Sequence, residues 1–461
     1  MKNIKNFKTV KEINLPRVHL LSDGIVRVLC DETNDKYYIE RIVKRNKVRN
    51  IVDKYELVKP DGTIELKNLN QEICDKILSR IESSKFSYNS CFIFEEKKMN
   101  SVYSINWTKS EDEHKYTSTG IKFWRHQEQM FEFIKPLDGS SRKTVISTHI
   151  SPEGACNLKC PYCSVTYRDT HSRIPLPRIK KYVEDLMERG LKAVILTGGG
   201  EPTLYPHFNE LVQWIKKEKG LSVALITNGT TSSKIDAETL YCFSWIRVSI
   251  NVFPGWENKI SLRKQDLNEE CIVGCSMVYT SEHEAGLDLS RGDTLDKVSQ
   301  VADSCNAKYI RLLPNCLLEQ DQLVQQHISL KQLLENIKDK RFFQQYKVHG
   351  TPKSNICHQA YFRPYLSEEP YAGDGQPGTV YPCDSVVLNN AVTHFAKEYQ
   401  LCKPEDILEF IDGKITQRFD PKQACKGCVF TDNVNMLEDW KTSGVDRFSE
   451  FKDRIVHEEF V

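Results

Sequence analysis

Between residues 144 and 314 the apolar positions follow two alternating rhythms, short β-branched runs and then stretches in which apolar residues return every three or four positions. This is the pattern of parallel βα units. Six strands are predicted, at 144–150, 193–197, 222–227, 245–251, 272–280 and 309–313. Between the first two, residues 175–189 place Ile179, Val183, Leu186 and Met187 on one helical face, and Gly190 stops the helix. Phe208, Leu211, Val212 and Ile215 repeat the device, with Gly220 as the stop. A last helix at 294–306 starts on Thr294 as N-cap and spaces Leu295, Val298 and Ala302 along one face. The expected class is α/β, a partial (β/α)6 barrel with ligands at the C-terminal ends of the strands.

The flanking regions break this rhythm. Residues 1–140 read as an N-terminal α+β domain, with strands at 25–30, 36–42, 55–58 and 63–66, the last two flanking the turn Pro60-Asp61-Gly62, and a helix at 70–83. After the core, 322–345 reads as helix and 357–428 as a loop-rich, cysteine-bearing extension. Three domains are therefore expected: 1–140, 141–320 and 321–461.

Across 461 residues, 64 Lys and Arg nearly cancel 63 Asp and Glu, so no global field marks a binder of nucleic acid or anionic lipid. Residues 1–150 hold 27 basic and 21 acidic side chains and the remainder 37 and 42, a mild bias that fits a solvated surface. The start, Met1 to Lys8, carries charge without an apolar run behind it, and no window approaches the ~20 apolar residues that cross a bilayer. A soluble, cytoplasmic protein is expected, with no membrane partner. Its sixteen cysteines are then expected as thiols, and any that cluster as metal ligands.

Two clusters stand out. Directly after the first strand comes Cys156-Asn-Leu-Lys-Cys160-Pro-Tyr-Cys163, three cysteines inside eight residues. Thiolates favour zinc or iron–sulfur, but structural zinc closes a tetrahedron with four ligands. Here no fourth cysteine is near and His171 lies eight residues on. A [4Fe–4S] cube on three thiolates leaves one iron open to a small molecule, which is a catalytic arrangement. The second cluster, Cys357, Cys383 and Cys425-Lys-Gly-Cys428, offers four thiolates, enough to saturate an iron–sulfur cube or close a zinc site.

The first loop resembles the radical S-adenosylmethionine (SAM) superfamily, whose hallmark is CxxxCxxC after the first strand of a partial βα barrel. Tyr162 stands where that family packs a ring near the adenine. The stretch Thr197-Gly-Gly-Gly-Glu201 resembles the family's GGE motif, so the resemblance assigns Gly199, Gly200 and Glu201 to the methionyl amino group. Leu225 to Gly229 and Val248 to Asn251 resemble the ends of its third and fourth strands, making Thr227, Asn228, Ser249 and Asn251 candidate SAM contacts. Arg263 could reach the SAM carboxylate or form a surface ion pair. The resemblance implies that a reduced cluster, supplied by a donor such as flavodoxin or ferredoxin, cleaves SAM to a 5′-deoxyadenosyl radical that abstracts hydrogen from substrate.

Gly378 followed by Cys383, with the trailing CxxC, resembles the auxiliary-cluster extensions called SPASM and twitch. The interval from Cys357 to Gly378 is longer than the usual SPASM spacing, and no further cysteine follows Cys428. One auxiliary [4Fe–4S] cluster is therefore expected, on Cys357, Cys383, Cys425 and Cys428, with Cys402 as a possible replacement. Cys271 and Cys275 read as core thiols.

Relatives with such extensions modify peptides, protein side chains, sugars and nucleosides. Residues 23–39 resemble, over a short stretch, the small winged-helix peptide-recognition domains of peptide-modifying members. The basic run 41–49 offers a grip on phosphates instead, or an exposed helix face. A peptide or protein substrate is the first expectation, a nucleotide or nucleic-acid base the second. The third is a non-catalytic zinc scaffold binding RNA or protein.

Overall fold

The computed structural model describes five strands within residues 17–68 and, from residue 109 onward, all but residues 167, 281–291, 348–349, 386–396, 426, 445–446 and 449–454. The chain divides into two compact units, residues 1–108 and 109–461. In the first, β1 (Arg17–Leu20), β2 (Ile25–Glu32), β3 (Asp35–Ile42), β4 (Lys54–Val58) and β5 (Ile64–Asn68) form an antiparallel meander. Four of these match the expected strands, and β1 was not foreseen. The turn at 60–62, the helix at 70–83 and most of the basic run at 41–49 lie outside the described residues.

The second unit is built on a nine-stranded sheet whose middle is the expected barrel. The strands β6 (Ser147–Ile150), β7 (Ala193–Leu196), β8 (Ser222–Thr227), β9 (Trp245–Ser249), β10 (Ile272–Tyr279) and β11 (Tyr309–Pro314) are neighbours in chain order and all parallel. Their crossovers include the helix Leu176–Glu188, which buries Ile179, Val183 and Leu186. It stops at Gly190, whose φ of +100° suits glycine. Side chains alternate between the two faces of each strand. Val194, Leu196, Val223, Leu225, Val248, Val273 and Ile310 join the core formed with the helices, while Ala193, Ile195, Ala224 and Trp245 pack on the opposite, inner face with Phe460.

Both edges of this sheet depart from expectation. The helix expected over 322–345 runs from Gln320 to Glu335 and ends on Asn336. Asp339 and Arg341 then close a turn through their own side chains, the Arg341 Nη2 lying 2.7 Å from Asp339 Oδ2. Phe342–Gln344 follows as β12, a seventh parallel strand, with both phenylalanines buried. On the other edge, β13 (Tyr365–Pro370) lies parallel to β6 and carries β14 (Pro377–Tyr381) as its antiparallel hairpin partner. This hairpin falls within the stretch expected to be loop-rich.

The sequence sets the core and the extension apart at about residue 320 and ends the N-terminal domain at about 140. In the structure residues 109–140, the barrel and the extension share one unit. Arg189, which caps the helix Leu176–Glu188, grips Asp412 of the extension with Nε and Nη2, each 2.8 Å from a carboxylate oxygen. Arg178 on the same helix binds Glu405 and Asp374. No helix among the described residues is long and apolar enough to cross a membrane.

Candidate active site at the strand ends

The three-cysteine loop leaves the C-terminal end of β6 and is held from several sides. Gly154 donates its N–H to the Ser172 carbonyl at 2.9 Å, and Glu153 pairs with Arg173 at 2.6 Å. Arg168 folds back over the loop, donating to the carbonyls of Gly154 (2.7 Å) and Val165 (2.8 Å) and reaching the Cys163 sulfur at 3.5 Å. Cys156, Cys160 and Cys163 are partly exposed thiols. Burial, with Glu201 and Cys163 adding to it, pushes the Cys156 thiol up. Among the described residues no three His, Cys, Asp or Glu side chains form a ready-made metal site.

The glycine ridge after β7 docks on this loop through its backbone. The Gly200 N–H meets the Glu153 carbonyl at 3.0 Å and the Glu201 N–H meets the Ala155 carbonyl at 2.8 Å. A Cβ on Gly200 would lie 2.1 Å from the Ala155 oxygen, so only glycine permits the approach. The Gly199 N–H is bound by Ser151 Oγ at 2.7 Å.

The Glu201 carboxylate is buried and turned inward. Thr227 and Thr203 hydroxyls both donate to Oε1 at 2.6 Å, and the Asn228 N–H donates to Oε2 at 2.8 Å. Asn228 Nδ2 in turn reaches Asn157 Oδ1 in the cysteine loop at 2.9 Å. Glu201, Thr227 and Asn228 thus lash the ends of β7 and β8 to the loop. Tyr162 donates its hydroxyl to Asn251 Oδ1 at 2.9 Å, tying the loop to the end of β9 as well. Ser249 sits two residues before Asn251, level with Ser276 of β10. Arg263 is engaged elsewhere, paired with Asp266 at 2.7 Å and bonded to the Ser233 and Ile235 carbonyls.

Behind the barrel, Cys357, Cys383 and Cys425 are buried and Cys428 half-buried. Burial raises all four thiols, and they act on one another: Cys383 feels Cys357, Cys428 and Cys425, and Cys425 feels Cys428 and Cys357. Reciprocal backbone bonds between Gly350 and Cys428, both 3.0 Å, hold the trailing pair. Cys402 stands apart from this group. Its backbone bridges to Val380, and its thiol is raised by burial and then by Asp406, Glu405 and Glu409, none of them a cysteine.

Several polar residues here have weaker sequence signals. Glu368 on β13 reaches the Gly199 backbone. His149 on β6 lies 3.6 Å from Asp384, the residue after Cys383, and Arg363 lies 3.5 Å from the same carboxylate. Burial opposes ionisation of Asp384, but His149, Arg363 and Lys347 together hold it below the usual carboxylate range. Arg247 and Arg311 are single charges inside the apolar strands β9 and β11, a pattern that was visible in the sequence. A surface cleft of about 680 Å³ at Gln127, Lys143 and Lys192 lies toward the opposite strand ends and contains none of these groups.

Against known proteins, residues 150–253 match the model of the radical SAM superfamily. An S-adenosylmethionine-dependent nucleotide dehydratase of Flammeovirga pacifica is 34% identical over 114 residues, covering 23% of this chain and 38% of that protein. A probable GTP 3′,8-cyclase of Methanococcus maripaludis is 32% identical over 94 residues, covering 20% and 31%. The chain therefore spans about a third of the length of each of these two relatives. Among solved structures, Streptococcus suis SuiB bound to S-adenosylmethionine aligns with a TM-score of 0.40 at 14% identity, covering 72% of this chain and 80% of that one.

The chemistry of the donor set suits the groups this family implies. Three partly exposed thiols on one braced loop can hold a [4Fe–4S] cluster with one corner left for a ligand. The glycine backbone beside them can pack this closely against the loop and Glu368 only because it carries no side chains.

Proposed function

We propose, on the premise that residues 150–253 are a radical SAM domain, that this protein cleaves SAM reductively and abstracts a hydrogen atom from an organic substrate held at the mouth of its barrel. The observation that carries the reading is the joining of the CxxxCxxC loop to the glycine ridge by the Gly200 and Glu201 amides. Cys156, Cys160 and Cys163 would hold the [4Fe–4S] cluster, which when bound supplies the electron that releases a 5′-deoxyadenosyl radical from SAM. The protein's own task is positioning and the exclusion of water. Arg168 fixes the path of the loop, Glu201 braces two strand ends against it, and Tyr162 is set by Asn251 to cover one side of the adenosyl group. Gly199, Gly200, Ser249 and Asn251 would line the SAM site beside it.

Cys357, Cys383, Cys425 and Cys428 would hold one auxiliary [4Fe–4S] cluster. Their mutual influence supports this set, and the separate surroundings of Cys402 support leaving it out. The sequence favours a peptide or protein side chain as substrate. A nucleotide is the second reading, favoured by relatives named for nucleotide dehydration and GTP cyclisation. Reduction is assigned to a flavodoxin- or ferredoxin-like donor.

Anaerobically prepared protein given dithionite and SAM should form 5′-deoxyadenosine, measured by mass spectrometry, and Cys160→Ala should form none. A colourless, zinc-loaded protein without product would overturn the reading.

A further inference from the structure

The inner face of the barrel carries charges that the reading above leaves without a role. Strand alternation puts Arg247 and Ser249 of β9 on this face. The register sets Arg247 level with Gly274 and Tyr309, and Ser249 level with Ser276 and Arg311. Arg247 is buried, with Nε 3.2 Å from the Tyr309 hydroxyl and Nη2 2.9 Å from the Tyr116 carbonyl. Arg311 donates to Ser276 Oγ from Nε at 3.2 Å and Nη2 at 2.8 Å, and from Nη1 to Gln345 Oε1 at 2.6 Å. Every one of these acceptors is neutral. Among the described residues neither arginine forms an ion pair with a carboxylate.

The neighbouring acids do not supply the missing charge. Asp384 is already faced by His149 and Arg363. Glu113 is almost fully covered, and burial raises its carboxyl to about 7, so that at neutral pH much of it carries no charge. Lys347 and Arg363 add positive charge nearby, although each also faces an auxiliary thiol, Cys428 and Cys357 respectively. Around Arg311, Tyr309, the Cys316 thiol and Glu113 favour the charged form less than burial and Arg247 oppose it. Burial, reinforced by Arg247, pushes Arg311 down to about 9. Desolvated cations without counter-charge are a standing cost to the fold, and an anion supplied from outside relieves it.

The position suits a reacting molecule. Ser249 precedes Asn251 by two residues, so the Ser249, Ser276 and Arg311 layer lies roughly 7 Å below the layer that receives Tyr162. Arg311 is partly exposed where Arg247 is buried.

We propose that Arg311, with Arg247 beneath it, anchors an anionic group of the substrate, a phosphate or a carboxylate, within one layer of the SAM site. A planar guanidinium held by Ser276 and Gln345 is preset for two-point contact with either anion. This assignment rests on the radical SAM reading and names what that site would take.

The test uses the full chain, reconstituted anaerobically, with thermal unfolding followed against pyrophosphate and against N-acetylglutamate at matched ionic strength. At least one anion should raise the midpoint saturably, by roughly 2–4 °C. The shift should vanish in Arg311→Gln and survive in part in Arg311→Lys, which keeps the charge but loses the fork. A response to pyrophosphate alone points to a nucleotide, and one to N-acetylglutamate alone to an acidic peptide side chain. No saturable shift in the wild type, or an undiminished shift in Arg311→Gln, overturns the anchor. Measuring 5′-deoxyadenosine on the same wild-type samples separates the two claims. Product without an anion response sinks the anchor only, and an anion response without product sinks the radical SAM reading.

Discussion

The carboxylate of Glu368 occupies the space in which a side chain at Gly199 would begin, since a Cβ on Gly199 would lie 2.1 Å from its Oε1. Glu368 comes from β13 and Gly199 from the loop after β7, with Ser151 between them accepting the Gly199 N–H and donating to Glu368. The glycine at 199 is thus required by a protein carboxyl group. Gly199→Ala should destabilise the fold by roughly 1–3 kcal/mol through overpacking. In a double-mutant cycle by denaturant unfolding, Glu368→Ala should recover most of that loss. Additive effects would show that the two residues do not meet.

Burial raises the Glu368 carboxyl from 4.5 to about 7, and Ser151 opposes that rise only in part. A carboxyl raised on folding favours the native state below its unfolded value and loses that contribution as pH rises through the folded value. The loss should approach about 3 kcal/mol between pH 5 and pH 8. Wild-type stability should therefore fall relative to Glu368→Gln across this window. Parallel pH profiles for the two proteins would count against a buried, neutral carboxyl.

Gly200 makes the contrasting case, because its missing Cβ faces the Ala155 carbonyl, which is backbone. No truncation elsewhere can make room for it. Gly200→Ala should displace the cysteine loop and lower the iron retained after reconstitution, and neither Glu368→Ala nor any other side-chain deletion should restore it.

Cys402 and Cys383 differ in their surroundings though both are buried. Cys402→Ser should keep the full iron and sulfide content, whereas Cys383→Ala should lose the auxiliary share and keep the three-cysteine share. Equal losses would put Cys402 among the ligands.

The Arg189–Asp412 pair joins the barrel helix to the extension through two 2.8 Å contacts, both partners largely buried. Breaking it from one side leaves a charge without its partner, so Asp412→Asn should cost roughly 3–5 kcal/mol in denaturant unfolding. Hydrogen exchange showing residues 109–320 and 321–461 unfolding separately in the wild type would contradict their single unit.

Local rules made the barrel legible. Each of the six core strands lies within three residues of its expected limits, because apolar runs and stop glycines such as Gly190 act over short stretches. The edges were not legible, since the pairing of β13 with β6 joins residues more than two hundred apart and leaves no periodic mark. The helix expected to reach 345 misled because the apolar spacing continues past Asn336, where the Asp339 and Arg341 turn takes over. At the site, the three-cysteine run and the glycine run stand out in the sequence, and the structure sets them after β6 and β7. The inward turn of Glu201 could not be read there, because beyond its neighbour Thr203 it depends on Thr227 and Asn228 at a distant strand end.

The strand that flanks β6 is threaded between Cys357 and Cys383, so the wall behind the three-cysteine loop is hung from buried thiols at both ends. Oxidation of these buried thiols would therefore slacken the partition behind the loop, and the strand ends would loosen before the barrel lost its shape.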